Sequence, residues 1–408
     1  MAAGKGLAAA VAVGLVLRLV FGLAYWTNEP LTRDEREYLS LARSLAAGRG
    51  LVYDEAMLSG PVQPFGRAPG YPAFLALVGG GRSSSDDVPA SVKVAQSVVG
   101  AAGVLIVGLL ARRWAGARGA TIAAMLAAVH PLLVATAARA FSEALFWPMG
   151  LGAAWLVTSA SRARGRRAAV LAVLAGVLTG LATLVRPATI VFLGVAALWW
   201  LWERSLTRVV ALALGAALVI APWTVRASER AERFVLVATE GGVTFWTGNH
   251  PLAVGDGDLA ANPQLKIASQ TLKDAHPGLT EEQMEPIYYR DALAWMRAHP
   301  IDWLVLEARK VVYLVVPLGP SYRLHSWRYF VASAGTYLLL LPAALAGAWR
   351  LGPARRRLPG LWLLLAAAIV TCLIFFPQER FRIPVIDPVL IVCAAAVWMT
   401  GRETPSAA

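Results

Sequence analysis

Ten apolar runs, each near the length needed to cross a bilayer, recur along the chain and constrain its fold more than any other feature. A membrane-spanning helix needs about 20 apolar residues, within a range of roughly 17–25. Helices are expected near residues 7–26, 92–111, 119–138, 144–159, 168–185, 188–202, 209–225, 328–349, 358–376 and 383–400. Composition agrees: 57% of the 408 residues are hydrophobic and 15% are charged, against about 45–50% and about 25% in soluble domains. A disordered chain, a disulfide scaffold and a collagen-like fibre are excluded. The expected architecture is an all-α polytopic membrane protein, with residues 1–408 forming one integral membrane domain.

Lys and Arg placement orients the bundle. With the N-terminus inside, the inner loops hold Lys5, Arg112, Arg113, Arg118, Arg162, Arg164, Arg166, Arg167, Arg204, Arg208, Arg350, Arg355, Arg356, Arg357 and Arg402. Only Glu203 and Glu403 oppose them, so these loops account for the whole formal charge of +13. The basic balance is a topology signal, and a nucleic-acid partner is not expected. Tryptophans mark both interfaces: Trp26 and Trp223 at outer helix ends, Trp199, Trp200, Trp202, Trp349 and Trp398 at inner ones. The first helix lacks an Ala-x-Ala site at its outer end and reads as a retained signal anchor. Cys372 and Cys393, the only cysteines, offer neither a disulfide framework nor a zinc-ligand spacing.

Two long segments are expected outside. The first, residues 27–91, contains Thr32 as a cap, Asp34 and Glu35 in a first helical turn, and Tyr38, Leu41, Ala42 and Leu45 on one apolar face. It reads as an amphipathic helix lying on the outer leaflet. The stiff turn Arg67-Ala68-Pro69-Gly70-Tyr71-Pro72 follows. The second, residues 226–326, combines a β-favouring stretch at 234–239, the motif Gly248-Asn249-His250-Pro251 and a capping box at Thr280-x-x-Gln283. That makes it a small mixed region. The apolar stretch 303–318 is interrupted by Glu307, Arg309 and Lys310, and is laid along the interface.

Charges close to the hydrocarbon need a reason, because burying one there costs at least about 2.5–3.5 kcal/mol. Arg18 has structural pairing with backbone carbonyls or a carboxylate as its plain reading. At the outer face Asp34, Glu35, Arg139, Glu143, Arg186 and the run Glu379-Arg380-Phe381-Arg382 converge from different loops. Such a cleft suits an anionic lipid headgroup. Plainer readings stand beside this one: helix-start carboxylates for Asp34, Glu35 and Glu143, and snorkelling for the arginines. His130 reads as a buried polar residue and Asp256-Gly257-Asp258 as a plain loop. There is no phosphate loop, dinucleotide fingerprint, His-x-x-x-His pair or Gly-x-Ser-x-Gly elbow.

Asp34-Glu35 with Tyr38, then Arg67-x-Pro-Gly-Tyr-Pro, Ser142-Glu143, Gly248-Asn249-His250-Pro251 and Glu379-Arg-Phe-Arg-Ile-Pro384 resemble, in order, the GT-C membrane glycosyltransferases. The nearest group is similar to the bacterial relatives of protein O-mannosyltransferases and lipid A aminoarabinose transferase, the glycosyltransferase family 39-like proteins. The resemblance implies a multi-pass enzyme of the bacterial inner membrane, with both termini cytoplasmic and its site outside. Its donor would be a polyprenyl-phosphate sugar and its acceptor a lipid, glycan or protein, all met among membrane lipids. Asp34, with Glu35 and Glu143, would supply catalysis, Asp34 as general base. Arg186, Lys310, Arg380 and Arg382 would hold the donor phosphate. Arg67, Tyr71, Asn249, His250 and Glu379 would contact substrate. No cofactor is required by the resemblance, and a divalent metal is left open. A ligase or polymerase acting on a lipid-linked glycan, or a lipid-linked sugar flippase, is the competing reading.

Overall fold

The computed structural model describes residues 2–53, 66–82, 87–317 and 319–398. Helix α1 (Ala2–Val20) runs on through a π turn (Phe21–Tyr25), and is followed by α2 (Arg33–Ala46) and α3 (Gly70–Leu77). The central bundle is α4 (Ala90–Val129), α5 (Pro131–Ala135), α6 (Glu143–Arg162), α7 (Gly165–Val185), α8 (Ile190–Trp202) and α9 (Leu206–Ala231). A helical segment follows, with α10 (Gly241–Gly248), α11 (Pro263–Asp274), α12 (Glu281–Ala298) and α13 (Pro300–Val315). Helices α14 (Trp327–Phe330), α15 (Thr336–Leu351), α16 (Pro359–Ile374), α17 (Glu379–Arg382) and α18 (Ile386–Ala394) complete it.

Among the described residues, five helical stretches are long and apolar enough to cross a membrane: Gly4–Tyr25, Ala90–Val129, Gly165–Val185, Leu206–Ala231 and Trp327–Leu351. Shorter apolar helices cover Pro187–Trp202, Pro359–Ile374 and Ile386–Trp398. The chain is a multi-pass membrane protein. Leu214 and Leu218 on α9 and Leu339 on α15 point outward and are well exposed, a placement that suits lipid.

Helix α4 is 40 residues long, yet it is not one rod. Gly116 has φ 63° and ψ −161°, a conformation that a side chain resists. A Cβ on Gly108 would lie 3.1 Å from the Ala120 carbonyl oxygen, whereas twelve residues of straight helix span about 18 Å. The chain therefore doubles back at Gly116, and the runs expected at 92–111 and 119–138 are the two limbs of a hairpin. The second limb stops early, at His130-Pro131, where the His130 ring accepts a hydrogen bond from the Leu133 amide at 3.4 Å. Arg18 is buried against this hairpin and donates to the carbonyls of Gly14 (2.9 Å) and Ala127 (3.4 Å). Its backbone pairing matches the plain reading.

Small residues let the helices close. Gly176 on α7 faces the Leu212 carbonyl of α9, and Gly215 on α9 faces the Val173 carbonyl of α7. A side chain at either position would push apart two helices that pack backbone to backbone.

The segment after α9 differs from the mixed region expected. Among the described residues no strand forms there, and 234–239 is irregular. Trp223 Nε1 donates to the Val237 carbonyl (2.8 Å), Thr224 Oγ1 to the Leu236 carbonyl (2.7 Å), and Ser228 Oγ accepts from the Val235 amide (3.0 Å). Side chains of α9 thus occupy backbone groups that a partner strand would have used.

Candidate active site

The sequence of α2 explains why a carboxylate stands where it does. Thr32 Oγ1 accepts from the Glu35 amide (3.4 Å), while Glu35 Oε2 accepts from the Thr32 amide (3.0 Å) and hydroxyl (2.8 Å). This reciprocal cap starts the helix and puts Asp34 in its first turn, where the helix dipole favours negative charge. Glu35 Oε1 also accepts from the Ala140 amide at 3.1 Å. Both oxygens of the buried Glu35 are thus spent, Oε2 on the cap of α2 and Oε1 on joining α2 to the loop before α6. Tyr38 meets Tyr71 edge to face, ring centroids 4.8 Å apart. Tyr71 donates to Gln96 Oε1 (2.6 Å), and Gln96 donates to the carbonyls of Ala137 and Arg139 (3.0 Å each). These contacts set Asp34 in register with Glu143.

A line of alternating charges results. Arg67 Nη2 donates to Asp34 Oδ1 at 2.7 Å, and Arg380 Nη1 donates to Asp34 Oδ2 at 2.6 Å. Arg380 Nε donates to Glu143 Oε1 at 3.0 Å, and Arg186 Nη1 lies 3.0 Å from the same oxygen. The four chain segments that supply these groups flank α1, α6, α7 and α18, so those helix ends share one side of the bundle. Aromatic rings floor the site: Arg380 lies over Phe141 (4.9 Å), and Arg186 over Phe381 (4.8 Å) and Phe146 (5.6 Å). The Glu143 side chain is 4% exposed, but those of Asp34 and Arg380 are 27% and 33% exposed, so the line opens at its centre.

Burial alone would raise the pKa of Asp34, but Arg67 and Arg380 more than offset it and hold the carboxyl well below the usual range. For Arg380, burial works against the charge while Glu143 and Asp34 outweigh it and keep the guanidinium firmly charged. Among the described residues, Arg186 Nε and Nη2 and Arg380 Nη2 have no hydrogen-bond partner and are not sealed from solvent. Guanidinium N–H groups in this state can grip two oxygens of an anion at once. The arrangement can therefore bind a phosphate beside an ionised carboxylate.

Several expected site residues lie elsewhere. Lys310 is fully buried and spends its three N–H groups on Glu307 Oε1 (2.6 Å), the Leu373 carbonyl (2.8 Å) and Asn249 Oδ1 (3.1 Å). None remains for a phosphate. Arg382 turns away from Arg380: its Nε lies 3.0 Å from Asp387 Oδ1 and its Nη2 donates to Ser333 Oγ at 2.9 Å. Asn249 is a staple rather than a substrate contact. It donates to the carbonyls of Phe245 and Ile374 (2.9 Å each) and accepts from Trp303 Nε1 and Lys310. His250 packs on Trp246, ring centroids 4.2 Å apart, and accepts from the Leu252 amide. Tyr71 is fully buried, and Glu35 is a latch. Arg67 belongs to the charge line. The Glu379 side chain lies outside the described residues. His130 is buried, its Nε2 3.5 Å from Asp387, and Asp256 accepts from the Ser321 amide as a loop residue.

Sequence reasoning missed Glu37, which binds Arg67 Nε at 2.7 Å, and Glu240, 3.6 Å from the same nitrogen. Glu37 had a signal: Asp34, Glu37 and Tyr38 are spaced i, i+3, i+4 and share one helix face. Glu240 had none, since two hundred residues separate it from Asp34. Among the described residues, no three His, Cys, Asp or Glu side chains converge as metal ligands.

A family model described as dolichyl-phosphate-mannose-protein mannosyltransferase matches residues 71–225, the stretch that carries Glu143 and Arg186. No curated protein matches the chain. An oligosaccharyltransferase from Archaeoglobus fulgidus, in its apo form, superposes with a TM-score of 0.60 at 16% identity, over 97% of this chain and 50% of that one. The chain shares its fold with that half of the oligosaccharyltransferase. AglB from the same organism, in complex with an inhibitory peptide and a dolichol-phosphate, gives 0.58 at 14% identity over 97% and 50%. ArnT from Cupriavidus metallidurans bound to undecaprenyl phosphate is less alike in shape: TM-score 0.46 at 15% identity, over 96% and 77%. The chain spans about half the length of the oligosaccharyltransferases that it matches.

Proposed function

We propose that the chain is a glycosyltransferase that moves a sugar from a polyprenyl-phosphate donor to an acceptor on the outer face of the bacterial inner membrane. The observation that carries this reading is the line Arg67–Asp34–Arg380–Glu143–Arg186, a carboxylate set among guanidiniums that still have N–H groups to offer. Nucleotide sugars stay in the cytoplasm, so an enzyme working outside needs a lipid-carried sugar.

In the proposed reaction the acceptor oxygen attacks the anomeric carbon as the bond to the phosphate oxygen breaks. The acceptor proton passes to Asp34. The leaving polyprenyl phosphate takes the bonding electrons and gains a second negative charge, which Arg186 and Arg380 stabilise where it develops. A single displacement inverts the anomeric centre. Glu143 keeps the two arginines side by side, and Glu35 holds α2 against the loop that leads to Glu143. The acceptor is a lipid, glycan or protein.

The membrane arrangement belongs to the same proposal. It has ten crossings, counting both limbs of the α4 hairpin, with both termini inside and residues 27–91 and 226–326 outside. The α13 helix lies along the interface, with Leu306 and Lys310 inward and Ile301, Leu304 and Val305 outward.

The test is to incubate the purified protein with labelled polyprenyl-phosphate sugars and membrane extract. Label should move to an acceptor with inverted anomeric configuration, releasing lipid phosphate. Label that crosses a vesicle membrane while still on its lipid would make the protein a flippase. Transfer of a lipid-linked glycan alone would make it a ligase.

A further inference from the structure

We infer that Glu37, acting through Arg67, is a positioning residue of this site: it holds the guanidinium that keeps Asp34 aimed once the donor phosphate has drawn Arg380 away. The inference rests on the transferase reading above.

The two arginines on Asp34 are held very differently. Arg67 is gripped on every side. Its Nε donates to Glu37 Oε2 at 2.7 Å, its Nη2 reaches the same carboxylate, its plane lies over the Tyr38 ring at 4.6 Å, and Glu240 stands 3.6 Å away. Arg67 is 14% exposed. Arg380 is 33% exposed, its Nη2 is unclaimed among the described residues, and its carboxylate partners each have a second arginine. An incoming phosphate competes with Asp34 and Glu143 for Arg380, and the competition sharpens as the leaving group gains charge. Asp34 then depends on Arg67 alone.

Without Glu37, Arg67 would lose the carboxylate that grips its Nε and Nη2 and could follow the phosphate, taking the Asp34 carboxylate off its line. The groups that face Asp34 are Arg67 and Arg380 directly, Glu37 and Tyr38 on its own helix, Glu143 behind Arg380, and Glu240 behind Arg67.

The experiment measures turnover against pH at saturating donor for the parent protein, Glu37→Gln and Arg67→Gln. Binding of a polyprenyl monophosphate is counted on the same preparations. Glu37→Gln leaves Asp34 in a more positive field, so the acid limb of turnover should move to lower pH. Arg67→Gln removes that field and should move the limb to higher pH. Turnover at the optimum should fall by up to about 10² in both, the order expected for a misplaced reacting group. The number of lipid-phosphate sites per protein should stay at the parent value, which separates misplacement from misfolding. An unmoved acid limb in Glu37→Gln, or turnover and lipid-phosphate binding lost in parallel, overturns the inference while leaving an active parent a transferase. A parent that binds the lipid phosphate but transfers no sugar overturns both.

Discussion

Arg380 and Arg382 share the single turn of α17 and serve two different clusters. Arg380 bridges Asp34 and Glu143, a third exposed, with an N–H to spare among the described residues. Arg382 is 5% exposed and sits between Asp387, Ser333 and the Tyr337 ring, with His130 on the far side of Asp387. Two ion clusters at neighbouring positions of one motif are thus an open one and a sealed one. The difference teaches that a charged motif near a membrane surface marks a site only where solvent and spare hydrogen-bonding capacity reach it. A sealed pair adds little net stability, yet it is costly to break from one side.

The strongest way to break this comparison is Asp34→Asn, which keeps the shape and removes the basicity. Turnover should fall by roughly 10²–10⁴ while donor binding persists, measured by sugar transfer and lipid-phosphate binding on one preparation. The sealed cluster should answer in stability instead. Asp387→Ala leaves Arg382 buried without its carboxylate, and should cost about 3–5 kcal/mol in unfolding measured in detergent, with turnover per folded molecule unchanged. A smaller effect should separate the two arginines themselves. Arg380→Lys loses the fork and should weaken donor binding roughly tenfold, about the worth of one charge-assisted hydrogen bond, whereas Arg382→Lys should leave donor affinity alone. Equal affinity losses would dissolve the distinction.

The smallest effect is the pH dependence of stability. The folded-state pKa of Asp34 lies below its unfolded value of about 4, because Arg67 and Arg380 overcome the opposing effect of burial. Its contribution is therefore present above about pH 4 and is lost as pH falls toward the folded value. Thermal unfolding of the parent should weaken more steeply on acidification than that of Asp34→Asn.

Much of this was legible in the sequence. Apolar runs located the helices of the bundle, and the cap at Thr32-x-x-Glu35 is geometric fact because capping needs only four consecutive residues. The hairpin within residues 90–129 was legible as two runs, its turn resting on one positive-φ glycine. The 234–239 stretch misled because its β-forming composition says nothing about its partner, which is a helix face bearing Trp223, Thr224 and Ser228. The Asn249 motif misled for a related reason: its amide answers carbonyls on α10 and α16, and the more distant of them is 125 residues away.

What the sequence by itself determined is the set of local quantities: helix positions, the start of α2 with Asp34 in its first turn, and the residues able to carry charge near the membrane surface. It did not show the short helix α17, in which about 100° per residue sends Arg380 and Arg382 to nearly opposite sides. Only the tertiary structure decided which side faces Asp34 and Glu143 and which is sealed against Asp387. That choice, like the recruitment of Glu37 and Glu240 around Arg67, follows from how distant helix ends dock. Ion pairs depend on distances through space, and the spacing of residues along the chain does not carry them.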